Sequence, residues 1–310
     1  MIEVQGLHKR YGGRVALDQL DFAVPEGEIF GFLGPNGAGK TTTIRILATL
    51  TPADGGTATI DGVRIDRQPY AVRRLIGYMP DFFGVYDRLS VVEYLDFYAG
   101  CYDVPAARRQ RVTAELLELV DLADRAGDDV DSLSRGMKQR LCLARALVHE
   151  PRVLLLDEPA SGLDPRACLE MQELIRELRR MGKTILISSH IVPEVEELCT
   201  WVGVIDAGRM VEIGPKAEVL DRVAGARRLR IELARADEAR TEAARRLLLG
   251  WPGVLDVEER GAGLVATVDA GLQAHELLGG LVKAGMDVSA FSPVEADLSD
   301  VFLRLTERDA

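Results

Sequence analysis

One short segment constrains this chain more than any other: Gly34-Pro35-Asn36-Gly37-Ala38-Gly39-Lys40-Thr41, followed by Thr42. It fits the GxxxxGK(S/T) pattern and lies where that pattern has physical meaning, after the apolar run 29–33 and at the start of a helical pattern over 40–50. Glycines let the backbone turn its N–H groups inward around a polyphosphate, and the N-terminus of the following helix adds partial positive charge. Lys40 supplies a cation for the terminal phosphates, and the Thr41 hydroxyl is a ligand for Mg²⁺. A glycine-rich connector with an incidental lysine is the alternative, and the strand before and helix after the loop weigh against it.

A phosphate loop of this kind needs an acid at the end of a buried strand. Residues 153–157, Val-Leu-Leu-Leu-Asp, end in Asp157, placed to complete the Mg²⁺ shell. Glu158 follows as a second carboxylate, able to hold and polarise water. This run and 184–189 are apolar along their length rather than on alternate residues, as parallel strands covered on both faces are. Between them, 165–180 carries apolar residues at helical spacing. By contrast, 91–100, 105–122 and 135–148 read as three helices with no strand among them, a helical insertion spanning about 88–150.

After Gly225 the texture changes. Strand-like 227–234, helical 237–249, strand-like 254–258 and 264–269, helical 272–283 and strand-like 288–291 give the order βαββαβ, closed by a last helix at 298–305. The expected organisation is an α/β domain carrying the phosphate loop over 1–222 and a small α+β, ferredoxin-like domain over 226–310. The second carries scattered charges and one isolated histidine, His275, which suits an accessory or regulatory module better than a catalytic one.

Composition removes other classes. With 38 basic against 49 acidic residues the net charge is -11, whereas a nucleic-acid binder needs basic surface to displace counterions, so no nucleic-acid partner is expected. Cys101, Cys142, Cys168 and Cys199 are widely spaced with no CxxC pair, which suits free thiols in a reducing, cytoplasmic setting. No basic and apolar leader precedes them, and no apolar run approaches the ~18 residues of a membrane span, so any work at a membrane depends on a partner.

The phosphate loop alone leaves kinases, GTPases, motors and transport ATPases open. The deciding residues are Leu133-Ser134-Arg135-Gly136-Met137, followed by Lys138-Gln139-Arg140 at the head of a helix upstream of the acidic strand. Ser134 there is either a plain helix N-cap or part of a second anion nest. In this segment the chain resembles the nucleotide-binding subunit of ATP-binding cassette (ABC) transporters, whose signature is LSGGQ. The other motifs fall in that family's order: Tyr11, the Gly34 loop, the Met79-Pro80 turn, the signature, the acidic strand, the D-loop Ser161-Gly162-Leu163-Asp164, and His190. The resemblance covers about residues 1–220.

It implies a P-loop NTPase cassette, a mixed sheet with covering helices and a helical subdomain. It implies ATP and Mg²⁺ as ligands and a second ATPase subunit, a homodimer being favoured, whose Ser134, Arg135, Gly136 and Met137 close on the nucleotide in trans. Tyr11 would stack on adenine, Glu158 would orient water, and His190 and Lys40 would stabilise the charge on the γ-phosphate. One departure stands out: the family usually has glutamine after Met79-Pro80, and this chain has Asp81, which could still reach Mg²⁺ but adds charge beside Asp157 and Glu158.

Residues 79–99 and 292–306 resemble the daunorubicin-resistance ATPase type, which pairs with a separate ABC-2-type membrane permease. That points to a peripheral subunit at the cytoplasmic face of the cell membrane, powering export. Two alternatives stay open on the sequence: a regulatory subunit with catalysis weakened by Asp81, and a soluble ABC ATPase acting on ribosomes or DNA.

Overall fold

The computed structural model describes residues 1–82, 84, 89–224, 226–234, 237–260, 263–269, 271–294 and 298. The chain divides into two compact units, Met1–Lys216 and Ala217–Ala310.

The first unit begins with β1 (Ile2–Tyr11) and β2 (Arg14–Val24), an antiparallel pair joined by the two-residue turn Gly12-Gly13. Both strands bury alternate residues, as strands do when one face is covered and the other wet. β3 (Ile29–Leu33) is buried at all five positions and leads through the glycine-rich loop into α1 (Lys40–Leu47). The helix stops short of residue 50 because Thr49 takes a left-handed conformation, φ 61°. Next come β4 (Gly55–Ile60), β5 (Val63–Arg64), α2 (Pro69–Leu75) and β6 (Ile76–Met79). The helical stretch follows as α3 (Val91–Cys101), α4 (Ala106–Leu119) and α5 (Arg135–Leu147), with short 3₁₀ turns between the last two. A capping box closes the start of α3: Ser90 accepts from the Glu93 amide while the Glu93 carboxylate accepts from the Ser90 amide.

Then β7 (Val153–Asp157), α6 (Pro165–Arg180), β8 (Thr184–Ser189), α7 (Val192–Leu198), β9 (Trp201–Asp206) and β10 (Arg209–Pro215) complete the unit. The larger sheet has the order β10-β9-β3-β8-β7-β6, parallel except for the antiparallel β9–β10 pair. A smaller antiparallel sheet, β2-β1-β4-β5, packs on it through a shared core, in which Phe22 of β2 stacks on Phe30 and Phe32 of β3 at 5.7 and 5.5 Å.

This topology positions the site. Parallel strands place all their carboxyl ends on one edge, and ligands bind in the crevice beyond that edge. Register brings the ends together: Leu33 pairs with Ser189, Asp157 with Ser188, and Met79 with Leu156.

The second unit contains α8 (Lys216–Ala224, beginning at the division), β11 (Ala226–Leu233), α9 (Glu238–Leu249), β12 (Val254–Arg260), β13 (Gly263–Asp269), α10 (Ala274–Lys283) and β14 (Val288–Val294). Its antiparallel sheet has the order β12-β13-β11-β14, and α9 and α10 bury Leu248, Leu277 and Leu281 in one core with sheet residues such as Ile231 and Val257. That is the ferredoxin-like arrangement expected from the βαββαβ order. The last helix expected at 298–305 lies outside the described residues except for Leu298, which is buried. No described helix is long and apolar enough to cross a membrane.

Candidate functional site

The loop after β3 must come close to β9. A Cβ on Gly34 would lie 2.4 Å from the Ile205 carbonyl oxygen, so only glycine allows the loop this position. The first turn of α1 has no side-chain cap, which leaves its amides to a ligand. Lys40 is 6% exposed and donates from Nζ to the Gly34 oxygen at 2.6 Å and the Pro35 oxygen at 3.2 Å. Burial lowers the pKa of its ammonium, and the nearby charges of Glu158 and Asp157 oppose that.

The end of β7 meets this loop. Asp157 is 1% exposed and accepts from Ser188 Oγ at 2.6 Å and Thr41 Oγ1 at 3.1 Å. Burial pushes its carboxyl above the usual range despite those hydrogen bonds, and the charges of Asp81 and Glu158 push the same way. Glu158 takes a left-handed conformation, φ 52°, held by its amide donating to Ser188 Oγ at 3.0 Å. That kink sends its carboxylate toward the loop: Oε1 is 3.6 Å from Lys40 Nζ, and Oε2 accepts from His190 Nδ1 at 2.8 Å. Since a carboxylate only accepts, this contact fixes the imidazole proton on Nδ1 and leaves Nε2 free to act outward.

A cleft of about 540 Å³ opens over these groups. Its walls bring together Asn36, Gly37, Gly39, Lys40, Thr41 and Thr42 of the loop with Tyr11, Asp81, Glu158 and His190. Gly34, Pro35, Ala38 and Asp157 do not line it; the Gly34 and Pro35 oxygens accept from Lys40, and Asp157 accepts from Thr41. Tyr11 is 49% exposed, with the Lys9 ammonium 5.5 Å from its ring centroid. Asp81 lies exposed just beyond β6.

Three further residues line the cleft: Arg14 and Ala16, which the sequence reading did not name, and Ser161, which it named only as the first residue of the D-loop motif. Arg14 had a readable signal. The Gly12-Gly13 turn makes it the cross-strand partner of Tyr11, and its guanidinium reaches the Gly37 oxygen at 3.5 Å. Ser161 comes in only because its amide closes a turn on the Glu158 oxygen at 3.0 Å, which spacing does not reveal.

The signature residues do not line this cleft. Ser134 caps α5, accepting from the Met137 amide at 3.3 Å, while Arg135 and Gly136 begin the helix. Asp164 likewise caps α6, accepting from the amides of Arg166 and Ala167 at 3.0 Å each. The donor set near Asp157 suits one cation. Among the described residues no three His, Cys, Asp or Glu side chains form a metal cage, and Mg²⁺ needs only one or two protein oxygens, taking the rest from phosphate and water. The Thr41 hydroxyl and the buried Asp157 carboxylate are such a pair.

The model of the ABC transporter family matches residues 17–161, and that of the ATP-binding protein DrrA1-3-like C-terminal domain matches residues 214–306. The linearmycin resistance ATP-binding protein LnrL of Bacillus subtilis is 33% identical over 99% of this chain and 99% of its own. The daunorubicin resistance ATP-binding protein DrrA3 of Streptomyces coeruleorubidus is 36% identical over 99% of this chain and 96% of its own. The chain belongs to the ATP-binding subunits of ABC transporters. Within them it falls in the daunorubicin-resistance-type branch, and it is an ATPase. The Nod factor export ATP-binding protein I of Ralstonia nicotianae is 35% identical over all of this ABC subunit and 94% of its own length. Among solved structures, an ATP binding subunit of an ABC transporter overlays with a TM-score of 0.65 at 31% identity, over 72% of this chain and 92% of the other. The dimeric cassette MJ0796 overlays with a TM-score of 0.64 at 24% identity, over 69% and 98%, which speaks for the shared fold.

Proposed function

We propose that this subunit hydrolyses ATP to drive export through a separate ABC-2-type membrane permease, working as a pair of cassettes at the cytoplasmic face of the membrane. The observation that carries the chemistry is the Glu158 carboxylate, held between Lys40 at 3.6 Å and His190 at 2.8 Å at the mouth of the phosphate loop. The export reading is supported by full-length relatives named for drug resistance and Nod factor export.

In this mechanism the loop from Gly34 to Thr42 holds the phosphates by backbone amides and the Lys40 ammonium, and Tyr11 offers its exposed ring to adenine. Mg²⁺ would be held by Thr41 and by Asp157, with Asp81 within reach, and would neutralise charge on the β and γ phosphates. Glu158 accepts a hydrogen bond from water and orients it in line with the γ-phosphorus. As the P–O bond to ADP breaks, Lys40 and the outward His190 Nε2 stabilise the charge on the transferred phosphoryl group. The partner's copies of Ser134, Arg135, Gly136 and Met137 cover that group, so hydrolysis needs two chains. Closing and reopening of the pair, relayed through Asp81 and the helices α3 to α5, switches the permease between inward and outward states. The unit after residue 225 serves as an accessory module.

The export reading is tested by expressing tagged Glu158→Gln in its own host, solubilising the membranes with Mg-ATP and identifying what copurifies. A multi-span protein at one copy per cassette is expected. Recovery only from the soluble fraction, with ribosomes or nucleic acid attached, overturns the export reading and leaves the ATPase.

A further inference from the structure

Arg135 occupies a signature position where the family pattern has glycine, and its side chain has a specific place to go. The guanidinium donates to the Ser161 backbone oxygen at 2.8 Å and lies flat on Gly162. Gly162 has φ +67°, a conformation that calls for glycine, and a Cβ there would meet three guanidinium atoms at 2.5 to 2.6 Å and push the Arg135 side chain aside. One turn further along α5, Gln139 donates from Nε2 to the same Ser161 oxygen at 3.5 Å, from a side chain 3% exposed. Beside them Gly136 lets the helix start approach α6, where a Cβ would stand 3.1 Å from the Ala167 methyl.

The other side of Ser161 is tied to the reacting centre. Its amide donates to the Glu158 backbone carbonyl oxygen at 3.0 Å, and Ser161 itself lines the cleft over the glycine-rich loop. A continuous path therefore runs from the Arg135 guanidinium, through the Ser161 peptide, to the turn that carries the Glu158 carboxylate. We infer that Arg135 is a positioning residue that clamps the 158–162 turn of its own cassette, so that the start of α5 sets the aim of Glu158 in the same chain. Resting on the proposed pairing of cassettes, this gives the signature two tasks at once. Its backbone faces the nucleotide of the partner, while the Arg135 side chain governs water attack in its own cleft. Engagement of one ATP is thereby felt at the other.

The test compares wild type, Arg135→Met and Arg135→Lys as full-length proteins. Methionine fills similar space without a donor, and lysine restores a donor without the flat guanidinium; since Arg135 is exposed, folding is not at stake. Arg135→Met is expected to lower kcat by about tenfold, the size of effect one charge-assisted hydrogen bond supplies. Amide exchange over 159–163 without nucleotide should speed up by a similar factor, and Arg135→Lys should recover part of both. Gly162→Ala, which displaces the guanidinium, should be non-additive with Arg135→Met. Wild-type exchange in Arg135→Met overturns the clamp, whether kcat holds or falls, since a fall alone would mean direct action on the partner's nucleotide. Exchange reads the clamp without turnover, so a failure of Glu158 as the water-orienting group would show separately, as retained turnover in Glu158→Gln.

Discussion

Asp157 is a buried carboxylate whose desolvation the Ser188 and Thr41 hydroxyls offset only in part. Its folded pKa is raised, so the ionised form is less favourable in the fold than in the unfolded chain. That penalty is complete above the folded pKa and fades as pH falls through it. Asparagine keeps an oxygen to accept from Ser188 and Thr41 without the charge. Asp157→Asn should therefore melt higher than wild type at neutral pH without nucleotide, by roughly 2–4 °C, the shift ~1 kcal/mol gives in a domain of this size. The gain should shrink as the pH is lowered into the carboxylate range, and Mg²⁺-dependent ATPase activity should be lost; thermal melts and phosphate release check both. At this scale much of the site was legible, because Lys40, Thr41, Asp157 and Glu158 sit in linear motifs whose neighbours dictate strand ends and helix starts. Arg14 was not singled out and Ser161 was named only as part of the D-loop motif, since each reaches the cleft through a turn rather than through spacing.

At the scale of elements, the starts of α5 and α6 differ from the start of α1 after the glycine-rich loop. α1 begins without a side-chain cap, whereas α5 and α6 begin on Ser134 and Asp164, whose oxygens already accept backbone amides. Asp164→Ala should destabilise the first unit by ~1 kcal/mol through the lost cap, while Asp164→Asn should stay within a few tenths of wild type. Denaturant midpoints decide this, and equal losses in both variants would show that the carboxylate charge matters more than the cap. β3, β7 and β8 were readable because they are buried on every residue, an uninterrupted apolar signal. The antiparallel β1, β2 and β10 were harder to single out, since alternate polar residues face solvent and bulges break their register. The end of α1 was misplaced by three residues, because the left-handed turn at Thr49 leaves no mark in hydrophobic spacing.

At the scale of the whole molecule, the two units keep separate cores, one built on the paired sheets and one on the ferredoxin-like sheet. Two thermal transitions are expected by calorimetry. In Glu158→Gln, Mg-ATP should raise only the transition of the first unit, by about 2.7 kcal/mol at a hundredfold excess over Kd. A single transition moved as a whole would contradict the division. The sequence shows a change of texture after Gly225, where the βαββαβ order begins, whereas the compact units divide between Lys216 and Ala217, ahead of α8.

The central claim is that Glu158 orients water in a cleft completed by a second chain. The most direct measurement is ATP turnover and sedimentation of Glu158→Gln with Mg-ATP. Turnover should fall by about a hundredfold or more, with one ATP retained per chain in a stable dimer. Near-normal turnover, or retained ATP in a species that stays monomeric, would contradict the account.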